Sequence, residues 1–112
     1  MNETSIVPLH LLMRIEPGCL GPNGPLHVKQ FCQFATAPFN RLGGQAIHWA
    51  LEPRFDKTLP EVEYYLNDHK LTHVQAERYL QMSKLDLKEQ EQQASDLLSE
   101  LIDVFFEEPP KE

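Results

Sequence analysis

The chain has 112 residues, 41% of them hydrophobic and 24% charged, and a net charge of -7. Such a length and composition describe one globular domain that can bury a core without disulfides or metals, and they exclude a disordered chain. The acidity is lopsided, with +1 on residues 1–60 and -8 on residues 61–112; without a Lys/Arg cluster, this disfavours nucleic acid and anionic membranes as partners.

From Ile6 to Glu16 the pattern is that of a strand. Leu9, Leu11, Met13 and Ile15 share one face, and His10, Leu12, Arg14 and Glu16 share the other. Pro17–Gly24 holds five Gly and Pro residues in eight, which excludes a regular helix or strand and predicts a loop. Pro25 suits a first helical turn, with Asn23 or Gly24 as cap. Val28, Phe31, Cys32 and Ala35 then fall on one helical stripe. Pro38 predicts that this helix ends at Thr36 or Ala37, and Gly43-Gly44 predicts a turn.

Ala46–Glu52 alternates again, with Ile47, Trp49 and Leu51 on one face, until Pro53 stops it. Glu61–Leu66 reads as a third strand, with Val62, Tyr64 and Leu66 inward and Glu63 and Tyr65 outward. Asn67-Asp68-His69 has turn chemistry, because Asn and Asp tolerate positive φ. Lys70-Leu71 can return as a short fourth strand. Thr72–Met82 is a helix opened by a Thr72/Gln75 capping box, with Val74, Tyr79 and Leu80 apolar and Ala76 off the main stripe. A last helix, capped by Ser83 or Asp86, runs to about Phe106 on a stripe of Ala94, Leu97, Leu98, Leu101, Ile102 and Phe105.

The order β-α-β-β-(β)-α-α predicts an α+β fold: a small, mostly antiparallel sheet of three or four strands with helices packed on one face. The first strand–helix–strand unit can leave its two strands parallel. Residues 1–106 are expected to form a single domain and 107–112 a disordered acidic, Pro-containing tail. No signal sequence is evident and no segment has the ~20 apolar residues of a membrane helix, so the expected location is cytoplasmic. Two cysteines make no disulfide framework; both are expected to be reduced, with Cys32 buried and Cys19 in the loop.

No sequence motif specifies catalysis. The glycines of the Pro17–Gly24 loop do not match a phosphate-binding pattern, and Pro17, Pro22 and Pro25 remove three of the N–H donors that an anion would need. The histidines and cysteines lack metal-site spacing, so neither metal nor cofactor is expected. If the chain is an enzyme, its groups are Cys19 as nucleophile, His10 and His48 as acid or base, and Arg14 as an anion holder, on the polar sheet face and the loop beside it. The preferred reading is a non-catalytic protein–protein interaction or regulatory module. It would self-associate as a homodimer through its C-terminal helices, with Leu101, Val104, Phe105 and Phe106 as anchors. The acidic half would suit a basic partner protein.

Overall fold

A computed structural model describes residues 7–42 and 44–106. The Gly43 half of the glycine turn and the 107–112 tail lie outside the described residues. The elements are β1 (Leu9–Ile15), α1 (Gly24–Asn40), β2 (Ile47–Pro53), β3 (Val62–Leu66), β4 (His69–Leu71), α2 (His73–Gln81) and α3 (Leu87–Phe106). The class is α+β in the expected order. The four strands lie in the order β2-β1-β3-β4. β1 runs parallel to β2 and antiparallel to β3, and β3 runs antiparallel to β4. The sheet is therefore mixed rather than mostly antiparallel, because α1 carries the chain back across the layer before β2 begins.

Strand parity sorts the two faces as alternation requires. Leu9, Leu11, Ile15, Ile47, Trp49 and Tyr64 are buried beneath the helices, while His10 and His48 are exposed on the other face. α1 lies against β2, α2 lies against β1, β3 and β4, and α3 packs on α1 and α2. Phe31, Phe39, Val28, Leu80 and Leu87 complete the core from the helical side. On α2, the buried pair is Ala76 and Leu80, and Val74 is exposed. The sequence stripe is thus corrected: Ala76, expected off it, is buried, and Val74, expected on it, is exposed.

The Pro17–Gly24 loop is more ordered than its composition predicts. Pro17–Leu20 forms one 3-10 turn, and Leu20 is buried. Gly24 is required there by close approach, since a Cβ on it would stand 1.7 Å from the Pro17 carbonyl oxygen. The loop is a stiff connector that docks the start of α1 against the end of β1. At the other hairpin, Asn67 and Asp68 both take positive φ (50° and 73°), joining β3 to β4 through a two-residue turn. The Thr72/Gln75 capping box is fully formed. Asp86 accepts from the Lys88 N–H at the start of α3.

α1 does not stop before Pro38 but continues to Asn40. An interior proline costs about 3 kcal/mol, so tertiary contacts must offset it. Phe39 is fully buried with its ring 5.3 Å from that of Trp49. The Asn40 carboxamide accepts from the Trp49 backbone N–H (2.8 Å) and donates to the Trp49 carbonyl (3.0 Å). One side chain thereby copies the pairing of a neighbouring strand at the middle of β2, the sheet's long edge, and blocks further strand addition there. Asn40→Ala is expected to destabilise the fold by about 1–2 kcal/mol, from two lost hydrogen bonds, and to increase aggregation on mild heating; urea melts and turbidity measure both.

Candidate functional site

Three regions hold the candidate residues: the uncovered sheet face, the end of the helical layer where α1 meets α3, and the space between α3 and the sheet.

On the uncovered face, the parallel register sets His10 beside His48, with ring centroids 4.9 Å apart. Tyr65 stands opposite His10 on the other side, and Lys70 pairs with Tyr65. A polar row thus crosses all four strands. Beside it is a depression of about 530 Å³, whose lining includes His10, Leu12, Ala50, Tyr65 and Asp68.

The far end of the same face is occupied by its own charges. Arg14 lies four residues beyond His10, about 13 Å along the strand. Its Nε donates to Glu52 Oε2 (2.8 Å), and its Nη1 donates to Glu63 Oε2 (2.9 Å) and to the Pro60 carbonyl (2.8 Å). The Arg14 and Glu63 side chains retain only 8% and 7% of their accessibility. Hydrogen bonds from Tyr65 and then Arg14 hold the Glu63 carboxyl below its ordinary range, and Glu63 in turn raises Arg14 above an already high value. Glu16 is likewise lowered, chiefly by its pairing with Arg54 and then by Lys57. The β2–β3 connection folds over this end through these contacts.

Arg14 is therefore a structural ion-pair centre whose Nε and Nη1 serve two carboxylates and a carbonyl, an arrangement that gives no support to its expected role as an anion holder. Cys19 is exposed on the 3-10 turn. It shares a recess of about 120 Å³ with Arg14, Glu16 and Glu61, and no histidine lines that recess. A nucleophilic cysteine needs a nearby base, and His10 and His48 lie at the opposite end of β1. The four residues of the enzyme alternative thus fall into two separate groups. Cys32 is buried, and burial, with a smaller contribution from Glu52, pushes its thiol up to about 11. Among the described residues, no group of three or more His, Cys, Asp or Glu side chains is placed to hold a metal ion, and no helix is long and apolar enough to cross a membrane.

At the α1/α3 end, Phe105 sits among Phe31 (5.4 Å between ring centroids), Phe34 (5.5 Å) and Phe106 (5.1 Å). His27 stacks edgewise on Phe106 at 5.6 Å. Leu26, Phe34, Val104 and Phe106 are exposed, and Phe105 is half-buried. Leu101 is 8% exposed and belongs to the core; it supports this surface from beneath and is not available as an anchor. His27, Gln30, Phe105 and Phe106 border a recess of about 350 Å³. Sequence reasoning missed His27 and Phe34, although their spacing from Phe31 places all three along one side of α1.

The third region was also unforeseen. Leu11, Met13, Trp49 and Val62 of the sheet and Ala94 and Leu98 of α3 enclose an apolar cleft of about 160 Å³. Glu91 of α3 turns to the sheet. It accepts from the Tyr64 hydroxyl and lies 3.3 Å from His73 Nε2. Burial first, then that bond, push the Tyr64 hydroxyl up. No family model, curated protein or solved structure matches the chain.

Two predictions follow from this chemistry. Because Glu63 is held low in the folded state, its ionised form stabilises the fold above the ordinary carboxylate range of about 4.3. That contribution is lost as pH falls through the depressed folded value. Arg14→Met is expected to cost about 2–4 kcal/mol at neutral pH by leaving a buried carboxylate without its cation, and the deficit should shrink in acid as Glu63 protonates; urea melts across the acid range measure it. With a disulfide reagent at mildly alkaline pH, one thiol equivalent should react at once and the second only after unfolding, because Cys32 is buried and protonated. Thiol counting and peptide mapping of the labelled site test this.

Proposed function

We propose that the chain is a non-catalytic protein–protein interaction module that pairs with a second copy of itself through the α1/α3 end. The observation that carries this reading is the contiguous apolar surface of Leu26, Phe34, Val104, Phe105 and Phe106. Other exposed large apolar residues, such as Phe55 on the β2–β3 connection and Met82 after α2, lie on separate elements. The α1/α3 surface is rimmed by His27 and Gln30 and has no Asp, Glu, Lys or Arg among those seven residues, within a chain of net charge -7. Interface centres are depleted in charge and enriched in aromatic residues in this way.

The shape favours a like partner. Leu26 is 78% exposed and precedes His27, which borders the recess, in the first turn of α1. A projecting residue beside a hollow on one patch is self-complementary under a twofold rotation, since each copy can fill the other's recess. The enzyme alternative lacks this support, because His10 and His48 stand apart from Arg14 and Cys19.

Light scattering across the micromolar range is expected to give twice the 13.0 kDa chain mass. A Val104→Glu/Phe106→Glu variant should remain monomeric, with an unchanged circular dichroism spectrum because both residues are exposed. Leu26→Asp should weaken the dimer in the same sense. A wild-type chain that stays monomeric over the whole range overturns the reading.

A further inference from the structure

The open end of the uncovered sheet face carries two imidazoles side by side. His10 is on β1, which is hydrogen-bonded to a strand on each side, and the parallel register places His48 of β2 directly beside it. Both residues are exposed, so core packing does not account for them. Their ring centroids are 4.9 Å apart and the ring planes are inclined at 47°. Adjacent strands hold their backbones about 4.8 Å apart, so the two rings keep the spacing of the strands that carry them. Other histidine rings are engaged elsewhere: His73 Nε2 meets Glu91 at 3.3 Å, and His27 lies edge-on to Phe105 and Phe106.

This spacing is that of two imidazoles on one metal ion. A transition-metal ion binds an imidazole nitrogen at about 2.0–2.1 Å, so that two rings on one ion at ligand angles of about 90° to 110° have centroids about 4.5 to 5.2 Å apart. The observed 4.9 Å falls inside that range. The inclination is no obstacle, because each ring can turn about its own metal–nitrogen bond. Charge favours a cation as well: Asp68 lines the same depression as His10, and the chain carries -7. Lys70, the cation of the polar row, lies beyond Tyr65 from His10 and is 4.0 Å from Glu63 Oε1. Imidazole suits Ni²⁺, Cu²⁺ and Zn²⁺, whereas Mg²⁺ and Ca²⁺ take oxygen ligands. Among the described residues no third His, Cys, Asp or Glu completes the set. Closed structural zinc sites use four protein ligands, so an ion held here keeps positions for water or an exchangeable ligand. The depression of about 530 Å³ beside His10 leaves room for one.

We propose that His10 and His48 form an open binding site for a divalent transition-metal ion of the Ni²⁺, Cu²⁺ and Zn²⁺ class, with two imidazole ligands and the remaining positions exchangeable. The strands fix the pair in place before the ion arrives, since sites carried on regular elements are better held than sites on loops. The fold does not depend on the ion, because the core and the Arg14 centre are complete without it. The site lies on the face of the sheet away from the helices, so it is separate from the α1/α3 surface and does not depend on self-association.

Calorimetric titration of the reduced full chain with Zn²⁺ is expected to show one ion per chain, and titration with Mg²⁺ or Ca²⁺ no binding. His10→Ala and His48→Ala should each weaken Zn²⁺ by at least about tenfold, since an outer-shell partner of a ligand alone carries about that much. Their circular dichroism spectra should not change, because both positions are exposed. In the wild-type chain, Zn²⁺ should shift the ring resonances of His10 and His48 saturably and before those of His27, His69 and His73. The exposed Cys19 thiol is the competing ligand, so Cys19→Ser should bind Zn²⁺ as the wild type does. The Val104→Glu/Phe106→Glu variant should do so too, which keeps this test apart from that of the dimer. If a histidine variant does not fold, the wild-type ring resonances still decide the matter. A Zn²⁺ affinity weaker than about 1 mM, binding that survives the His10→Ala/His48→Ala double substitution, or binding that is lost with Cys19, overturns the proposal.

Discussion

Everything in this molecule is hung on β1. It is hydrogen-bonded on both sides, parallel to β2 and antiparallel to β3, so its register sets which residues of three strands are neighbours. Its two faces do different work. Leu9, Leu11 and Ile15 feed the core, and the burial of apolar side chains there is the largest favourable contribution to the fold. On the other face, Arg14 draws Glu52 of β2 and Glu63 of β3 together. One strand thereby organises both the hydrophobic layer and the ion-pair centre.

That arrangement also explains why the uncovered face is unequal along its length. Where Arg14 sits, the β2–β3 connection folds back, with Pro60 accepting from Arg14 and with Arg54 and Lys57 meeting Glu16. At the other end nothing crosses above His10, His48 and Tyr65 among the described residues, and a shallow polar depression remains. Titratable groups that looked like one polar set are split into a structural cluster and an open row. This separation removes the geometric basis for an enzyme built from Cys19, His10, His48 and Arg14, because acid–base and nucleophilic groups must lie within hydrogen-bond reach.

The exposed aromatic surface and the apolar cleft both belong to the helical layer. α3 packs closely on α1 and α2 and meets the sheet through Glu91 and the core residues Leu87 and Ala94. Its first half leaves space beneath it, lined by Trp49 and Ala94. Its last turn projects aromatic residues past the core, where Phe105 bridges to α1 and Phe106 and Val104 stay exposed.

Much of the fold was legible along the chain because it rests on local rules. Alternation marked β1, β2 and β3, the Asn67-Asp68 pair marked the hairpin, and Thr72 with Gln75 marked the start of α2. Those features depend on side-chain period and backbone preference, which neighbours in sequence decide. Proximity across strands and helices was not legible. Pro38 was expected to end α1, yet Phe39 and Asn40 carry the helix on through contacts with Trp49. Arg14 was expected to hold an anion, yet Glu52 and Glu63 from other strands pair with it, and Glu91 is met by Tyr64 from a distant segment. Leu101 and Phe106 lie on the same helix, but the core takes the first and leaves the second exposed. By itself the sequence determined the elements, the α+β class and the sorting of faces, since these follow from the spacing of apolar residues. Only the tertiary structure decided which polar groups are paired, which aromatic residues stay exposed and where the layers fail to close, because each depends on the distance between residues far apart in the chain.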